Sequence, residues 1–389
     1  MLKDKKILLI AFIVYFLSTL SSYLLFTKSP LAQKFTSPVP PPTTTPNGEI
    51  VFDETLPKTE VCPLNGAKYS KQQKTWWEKH RPLGIMIENH ENARPQSGLN
   101  SADIIYEAVA EGGITRTLSI YYCGAHVQIG PIRSARTYFL DWISEYGDSP
   151  LYVHVGGANT PGPADALGQI SDFGWNTYND LNQFSIGFPT FWRDYNRLGH
   201  ATATEHTMYS STDKLWKFAE ESRKLSNVGK DGTAWDEGFS PYTFKDDAPL
   251  SERGKQQTVH LEFWKGYGAY GVDWVYDPVK NLYNRKNGGA IQLDKNNGKQ
   301  LSAKNIIVLF MFESHANDGY EDNAHLLYKT KGTGKASVFM DGKQIKGTWK
   351  KDSRTDRTIV LDENGEEITF TRGKLWFEIL PTYGDLQVK

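Results

Sequence analysis

The sequence predicts an α+β protein in which an N-terminal α/β domain with a mixed sheet precedes a mainly antiparallel β domain. Both follow one predicted N-terminal transmembrane helix. Strand-like apolar runs between residues 81 and 158 end repeatedly in Gly-rich or Arg-rich turns, as is typical of α/β domains. Beyond residue 258, short strands follow one another at a spacing of about ten residues, which favours an antiparallel sheet. An uncharged apolar stretch near the N-terminus predicts the helix.

Composition limits the classes of function. The length of 389 residues suits two domains, and 39% apolar with 23% charged residues suits a folded protein. The net charge of -1 gives no electrostatic reason to expect a nucleic acid partner. Cys62 and Cys123 lack the C-x-x-C spacing of zinc and redox sites, and they form either a disulfide or two buried thiols. No P-loop, dinucleotide or zinc-protease motif occurs, so we expect no cofactor and no metal.

Residues 1–28 are predicted to be a transmembrane signal anchor. Three lysines precede the apolar stretch 7–26, which as a helix would span about 30 Å and could cross the cytoplasmic membrane once. The lysines favour an extracytoplasmic location for the rest of the chain. A cleavable signal peptide is the alternative, although Pro30 makes a poor cleavage site. Residues 29–75 are predicted to be a Pro/Thr-rich, semi-rigid linker.

Within the predicted α/β domain, residues 76–228, a β-hairpin is expected around Gly112-Gly113 because apolar residues alternate after the two glycines. The expected register places Val109 opposite Arg116, with Glu107 and Glu111 diagonally beside that arginine on one face. Two carboxylates beside an arginine could form an acid–base site or a surface charge cluster. The alternative to the hairpin is a helix over residues 102–110.

The run GPIRSAR carries the strongest candidate for anion binding. Ser134 is predicted to cap a helix that ends near Tyr146, and Arg133 and Arg136 add two planar donors at its start. The alternative is that these arginines pair with nearby carboxylates.

Two histidines are further candidates. His154 lies on the predicted strand 151–155 beside a Gly-Gly turn, and His206 lies in a polar segment that follows an aromatic loop. A single strand histidine is more often structural than catalytic. The H-x5-H spacing of His200 and His206 is not a standard zinc pattern.

The second predicted domain, residues 229–389, begins with a linker rich in Gly, Asp and Pro. Asp341-Gly342 and Asn364-Gly365 are predicted hairpin turns in the β-rich part that follows.

At this point the chain resembles the YerB family of bacterial envelope proteins. The resemblance covers roughly residues 81–383 and is carried by these motifs: IMIENHENARPQSGLNSADIIYEAVAEGGITR, IGPIRSAR, VHVGGA, WRD, EHTMYSS, NGKQLSAKNIIVLF, GTWKKDSRTDRTIVLDENGEEI and LWFEILP. It implies a protein anchored outside the cytoplasmic membrane, commonly as a lipoprotein, with a suggested link to peptidoglycan synthesis. It defines no catalytic residues. The sequence departs from the family in lacking the lipoprotein cysteine.

We therefore expect an extracytoplasmic cell-envelope accessory protein that binds an anionic or glycan wall component, or a wall-synthesis partner. The predicted ligand-binding residues are Asn89, Arg94, Arg116, Arg133 and Arg136. The alternative is a hydrolase or transferase that acts on a cell-wall polymer, with catalytic candidates Glu107, Glu111, His154 and His206. A third hypothesis is that the protein is a structural spacer without a ligand.

Overall fold

The computed structural model describes residues 2–28, 39–44, 50–124 and 127–389. The chain divides into two compact units, Met1–Leu56 and Pro57–Lys389. Much of the predicted proline-rich spacer, residues 29–38 and 45–49, lies outside the described residues.

The first unit contains helix α1 (Leu2–Lys28) and an antiparallel pair of two-residue strands, β1 (Thr43–Thr44) and β2 (Ile50–Val51). In the part of the chain that is described, no helix is both long and apolar enough for a membrane span. The predicted transmembrane helix is therefore not supported.

The second unit holds most of the secondary structure. Its helices are α2 (Lys71–Trp77), α3 (Thr137–Ile143), α4 (Ala166–Asp172), α5 (Gln183–Ile186) and α6 (Thr212–Phe218). Its strands up to residue 228 are β3 (Lys58–Val61), β4 (Lys68–Ser70), β5 (Leu83–Glu88), β6 (Ile104–Glu111), β7 (Ile114–Tyr121), β8 (Gln128–Ile129), β9 (Leu151–His154), β10 (Asp180–Asn182), β11 (Trp192–Arg193) and β12 (Met208–Ser211). Those that follow are β13 (Phe244–Lys245), β14 (Thr258–Glu262), β15 (Val272–Asp277), β16 (Leu282–Asn287), β17 (Ala290–Ile291), β18 (Ser302–Ala303), β19 (Asn305–Met311), β20 (Glu313–His315), β21 (Leu326–Tyr328), β22 (Gly332–Met340), β23 (Lys343–Lys351), β24 (Ile359–Asp362), β25 (Phe370–Thr371), β26 (Leu375–Pro381) and β27 (Asp385–Val388).

The centre of this unit is a ten-stranded mixed sheet in the order β10-β9-β5-β7-β6-β26-β19-β22-β23-β24. The first five strands come from the predicted N-terminal domain and the last five from the predicted C-terminal domain. The two sets meet where β26 runs parallel to β6, with Glu378 directly beside Glu107. Because these strands share a hydrogen-bond ladder, the two halves form one sheet and one core.

A second, antiparallel sheet has the order β17-β16-β15-β14-β27, with β18 also paired to β16. Burial alternates along β15 and β16, so one face of this sheet is covered. That face brings Trp274 against Trp376 of the central sheet, with ring centroids 5.0 Å apart. The mixed α+β, sheet-rich fold that the sequence predicts is confirmed at this level.

The hairpin expected at Gly112-Gly113 is present, as strands β6 and β7. Both glycines have positive φ, 55° and 75°, which a two-residue turn of this kind requires. The predicted register was wrong by one residue, because Ala108 and not Val109 lies opposite Arg116. The structure also has an irregularity between Val109 and Glu111 that the regular alternation of the sequence did not suggest.

Two other predictions from the sequence differ from the structure. Residues 58–75, which the sequence analysis placed in the linker, contain β3, β4 and the start of α2, which Ser70 caps through a capping box with Gln73. Helix α3 begins at Thr137 after the N-cap residue Arg136, so Ser134 does not cap it, and it ends at Ile143 rather than near Tyr146.

The two cysteines form a disulfide between Cys62 and Cys123, which settles the alternative that the sequence left open. This bond ties the segment around β3 and β4 to the end of β7 across 61 residues of sequence. Both cysteines are fully buried.

Candidate functional site

The irregularity in β6 separates two carboxylates that the sequence analysis placed on one face. Glu107 pairs with Thr117, whose side chain faces away from that of the neighbouring Arg116. The extra residue between Val109 and Glu111 reverses the alternation, so Glu111 returns to the face of Arg116. The prediction that both glutamates flank Arg116 is therefore wrong for Glu107 and right for Glu111.

On the Arg116 face lies a group that we call the two-arginine cluster, made of Glu111, Arg116 and Arg136. Arg116 Nη2 donates to Glu111 Oε1 at 3.0 Å, and Arg136 Nη2 donates to Glu111 Oε2. Burial alone would raise the pKa of Glu111, but the two guanidinium groups outweigh it and hold that pKa at about 2. Burial, and then repulsion from Arg136, lowers the pKa of Arg116 to about 10. Glu111 is thus an ionised structural partner and a poor proton donor.

Glu88 lies directly across the strand pair from Arg116 and therefore on the same face. It is buried and contacts two of the predicted residues: Arg133 Nε lies 3.3 Å from Glu88 Oε1, and His206 Nδ1 lies 2.8 Å from Glu88 Oε2. The ring of His206 stacks on His90 at 5.0 Å. This arrangement gives one histidine a fixed orientation beside a buried carboxylate.

His154 is held on both sides. Its Nδ1 lies 2.6 Å from the carbonyl oxygen of Gly156, and its Nε2 lies 2.6 Å from Asp180 Oδ1. Each ring nitrogen therefore lies within hydrogen-bond distance of a protein oxygen, and the side chain is fully buried. With no nitrogen left for a substrate, the geometry fits a structural role better than the catalytic one considered above.

On the opposite face of the hairpin lies the two-glutamate cluster, made of Glu107, Arg285 and Glu378. Arg285 Nη2 lies 2.7 Å from Glu107 Oε2, and Arg285 Nη1 lies 2.7 Å from Glu378 Oε1. All three side chains are fully buried. Burial, followed by repulsion from Glu107, raises the pKa of Glu378 to about 8.

Two tryptophans enclose this cluster. The guanidinium carbon of Arg285 lies 4.5 Å from the ring centroid of Trp376 and 5.1 Å from that of Trp274. Trp274 Nε1 donates to Glu378 at 2.8 Å, and Trp376 Nε1 donates to Glu107 at 3.2 Å. The cluster is closed to solvent, so Glu107 is not available as a catalytic acid or base.

Asn89 connects the cluster to the surface. Its amide nitrogen donates to Glu107 at 3.1 Å and to Asn287 at 3.2 Å. Its side-chain oxygen accepts from Arg94 at 3.2 Å, from Gln96 at 2.8 Å and from Gln292 at 3.3 Å. Asn89 is itself buried, so it positions neighbouring side chains rather than binding a ligand directly.

Arg94 is the side chain around which two open pockets meet, and we call them together the Arg94 groove. One pocket, of about 360 Å³, is lined by Arg94, Glu91, Asn287, Ile291 and Gln292 among others. The other, of about 390 Å³, is lined by Arg94, Glu91, His200, Thr202 and His206 among others. The first pocket contains side chains from both halves of the sheet-forming unit, and the second comes from the first half alone.

The guanidinium of Arg94 is partly engaged by the protein. Its Nε and Nη2 donate to Asn89, and Nη1 donates to the carbonyl oxygen of Ala269 at 2.9 Å. Two of its five N–H groups have no acceptor among the described residues. Burial, and then repulsion from Arg285, lowers the pKa of Arg94 to about 10, so it stays positively charged. It therefore offers a positive charge and spare donors to an anion or a hydroxyl group.

A preformed metal centre is not found in the described residues beyond one set of three, Cys62, Asp103 and Cys123, whose ligand atoms lie within 4.8 Å of one another. The disulfide removes both thiolates from that set. The histidines of the Arg94 groove do not form such a set.

The structure thus divides the predicted site residues into three places. Glu111, Arg116, Arg133, Arg136 and His154 lie on one face of the central sheet, but they do not line either pocket. Arg94 and His206 line the groove. Glu107 and Asn89 lie in the buried network between the sheets.

Sequence reasoning missed Glu88, Arg285 and Glu378. Glu88 had a usable signal, because it directly follows the apolar strand that ends at Ile87. Arg285 had none, because its partners Glu107 and Glu378 are 178 and 93 residues away in sequence.

Comparison with known proteins agrees with the resemblance described above. Residues 66–226 match the N-terminal domain, and residues 259–377 the C-terminal domain, of a family described as proteins of unknown function (DUF3048). A Bacillus subtilis (strain 168) protein named "Putative lipoprotein YerB" is 31% identical over 323 residues, which cover 82% of this chain and 86% of that protein. The crystal structure of Bacillus subtilis YerB superposes with a TM-score of 0.66 at 24% identity, over 85% of this chain and all of the other.

Proposed function

The chain belongs to the YerB-like DUF3048 family, and from that premise we propose that it is a membrane-attached, extracytoplasmic protein of the cell envelope that binds an anionic or glycan wall component in the Arg94 groove. Two observations support the location. The similar Bacillus protein carries the name of a lipoprotein, which is a class of membrane-attached protein. The buried Cys62–Cys123 disulfide suits an oxidising compartment outside the cytoplasm.

The observation that carries the proposed ligand class is the meeting of two open pockets at the charged side chain of Arg94. Asn287 and Gln292 line one pocket with their amides engaged by the protein, since Asn287 donates to the carbonyl oxygen of Gly271 and Gln292 donates to Gln96. Histidine and threonine side chains line the other pocket. A guanidinium group with N–H groups that the protein leaves unengaged, beside histidine and threonine side chains, suits phosphate, carboxylate or sugar hydroxyl groups. An extended polymer could occupy both pockets at once, because they share Arg94 and Glu91.

The turn at Arg133 and Arg136 is a weaker candidate for the same role than the sequence suggested. Arg136 is nearly fully buried and pairs with Glu111, and Arg133 pairs with Glu88. Anion binding there would have to compete with carboxylates that are already in place. We therefore assign the primary contact to Arg94.

The test is retention of the protein on purified wall polymer. We expect Arg94→Ala to reduce retention about tenfold, because it removes a charge-assisted hydrogen bond worth about 1.4 kcal/mol or more. Lys217→Ala is the matched control, because it removes one exposed positive charge from helix α6, outside the groove. Equal retention of wild type and Arg94→Ala would reject the groove as the binding site.

Arg133→Ala, tested alongside, should change retention less than Arg94→Ala. If it has the larger effect, the binding site is the arginine turn. If no wall fraction retains the wild type, crosslinking in intact cells would identify a protein partner such as a component of wall synthesis, the alternative that the family resemblance suggests.

The second candidate function is that of a hydrolase or transferase acting on a cell-wall polymer. Glu107 and Glu111 no longer support it, because one is sealed from solvent and the other is held ionised by two arginines. The pairing of His206 with Glu88 beside the groove favours it.

A further inference from the structure

We propose that His206, oriented by Glu88, transfers the proton in the hydrolysis of carboxylic esters carried by the anionic wall polymer that binds in the Arg94 groove. The inference rests on the proposed binding function and adds a reaction class to it. It depends on the tautomer of His206, on the position of Glu88 and on the positive charge of Arg94, which faces the same pocket.

The contact with Glu88 decides which nitrogen of His206 carries hydrogen. A carboxylate only accepts hydrogen bonds, so the 2.8 Å contact with Glu88 Oε2 requires a proton on Nδ1. In the neutral ring the lone pair is then on Nε2. No hydrogen-bond partner of Nε2 is found among the described residues, and the side chain lines the pocket of about 390 Å³. The nitrogen able to accept a proton is thus the one without a protein partner.

The backbone of Glu88 is held by the central sheet, and its carboxylate lies between Arg133 and His206. It ends strand β5 in the interior of the central sheet, and its backbone carbonyl accepts from Gln96 Nε2 at 2.9 Å. Its second carboxylate oxygen lies 3.3 Å from Arg133 Nε. An ionised carboxylate in this position stabilises the imidazolium that forms when Nε2 takes a proton.

Arg94 faces the same pocket and supplies the remaining electrostatic element. Its spare N–H groups suit the oxyanion that develops on an ester carbonyl during attack. Neither Ser nor Cys lines this pocket, and the hydroxyl of Thr202, which does, donates to the carbonyl oxygen of His200 at 3.3 Å. We therefore assign water as the nucleophile.

Carboxylic esters are the substrate class that these groups can serve. Glycoside hydrolysis needs two carboxyl groups on either side of the bond, and Glu91 is the single carboxylate lining this pocket. An ester needs one base, one proton donor for the leaving alcohol and one cation. In the reaction, Nε2 takes a proton from water as the water oxygen bonds to the ester carbon. The bond from that carbon to the alcohol oxygen then breaks, and Nε2 returns the proton to the alkoxide, giving a carboxylic acid and an alcohol.

The experiment measures release of 4-nitrophenolate from 4-nitrophenyl acetate, and of free acetate from acetylated peptidoglycan, by the full-length protein. We expect His206→Gln to lower both rates about 100-fold. We expect Glu88→Gln, which keeps an acceptor for Nδ1 but removes the charge, to lower them about tenfold and to change the pH profile of the rate.

His260→Gln is the matched control, because His260 Nδ1 also lies 2.8 Å from a carboxylate, that of Asp273, but on the second sheet and outside the groove. It should keep the wild-type rate. A slower wild-type rate in D₂O would support proton transfer without relying on any variant to fold.

Hydrolysis that is absent in the wild type, or that is equal in wild type and His206→Gln, overturns this inference. Retention on wall polymer is measured on the same samples. Retained binding without hydrolysis rejects only the ester chemistry, whereas loss of retention in the wild type rejects the proposed binding function itself.

Discussion

The two charged clusters on either side of the β6–β7 hairpin have opposite charge compositions. The two-arginine cluster places one carboxylate between two guanidinium groups, whereas the two-glutamate cluster places one guanidinium group between two carboxylates. Burial acts to raise the pKa of both Glu111 and Glu378. The pKa of Glu111 nevertheless falls to about 2, and that of Glu378 rises to about 8. Burial prevails at Glu378, where one guanidinium group opposes it, but two guanidinium groups together outweigh it at Glu111.

The clusters also differ in exposure. The side chain of Glu111 is 28% exposed, whereas Glu107, Arg285 and Glu378 are fully buried. The buried cluster joins β6, β16 and β26, so it holds the two halves of the chain together. The two-arginine cluster lies on the face of the sheet that also carries Glu88, the partner of His206. The comparison therefore separates a structural centre from a candidate functional face.

The largest expected effect comes from removing the shared arginine of the two-glutamate cluster. Arg285→Met should lower the free energy of unfolding by about 3–5 kcal/mol, because it leaves Glu107 and Glu378 in the interior without the guanidinium group that both contact. Urea denaturation measures this. The same substitution combined with Glu107→Gln and Glu378→Gln should recover part of the loss. A loss of less than about 1 kcal/mol would mean that the cluster does not hold the halves together.

The second prediction concerns the pH dependence of stability at Glu378. Its folded pKa of about 8 lies above the ordinary glutamate value of 4.5, so its contribution to stability is fully present below pH 4.5 and is lost as the pH rises through 8. We expect Glu378→Gln to remove this slope and to be more stable than wild type at pH 9 by about 2 kcal/mol. Denaturation at pH 5, 7 and 9 tests it. Parallel curves for the two proteins would contradict the raised pKa.

The third prediction concerns the pH dependence of stability at Glu111, which has the opposite sign to that at Glu378 and the smallest expected effect of the three. The pKa of Glu111 is lowered from 4.5 to about 2, so its contribution is present above pH 4.5 and is lost as the pH falls through 2. Glu111→Gln should cost about 1 kcal/mol at pH 7, a value reduced by partial exposure, and the cost should vanish in acid. Acid-induced unfolding followed by circular dichroism measures it. Glu366→Gln, at an exposed turn, is the control.

Local pattern was sufficient for part of this protein. The alternation around Gly112-Gly113 predicted the hairpin, and the Asp341-Gly342 pair predicted the turn between β22 and β23, where both residues have positive φ. The family motifs could also be recognised from the sequence. The face of the hairpin on which each glutamate lies could not be predicted, because the irregularity between Val109 and Glu111 interrupts an otherwise regular alternation.

By itself, then, the sequence determined the sheet-rich α+β class, the hairpin and the family, since these follow from periodicity, turn residues and long motifs. Only the tertiary structure decided that β26 joins β6 in one sheet, that Arg285 lies between Glu107 and Glu378, and that His206 meets Glu88 beside Arg94. Those contacts join residues far apart in the chain. Nothing in the local sequence of one partner encodes the position of the other, because only the packed core brings them together.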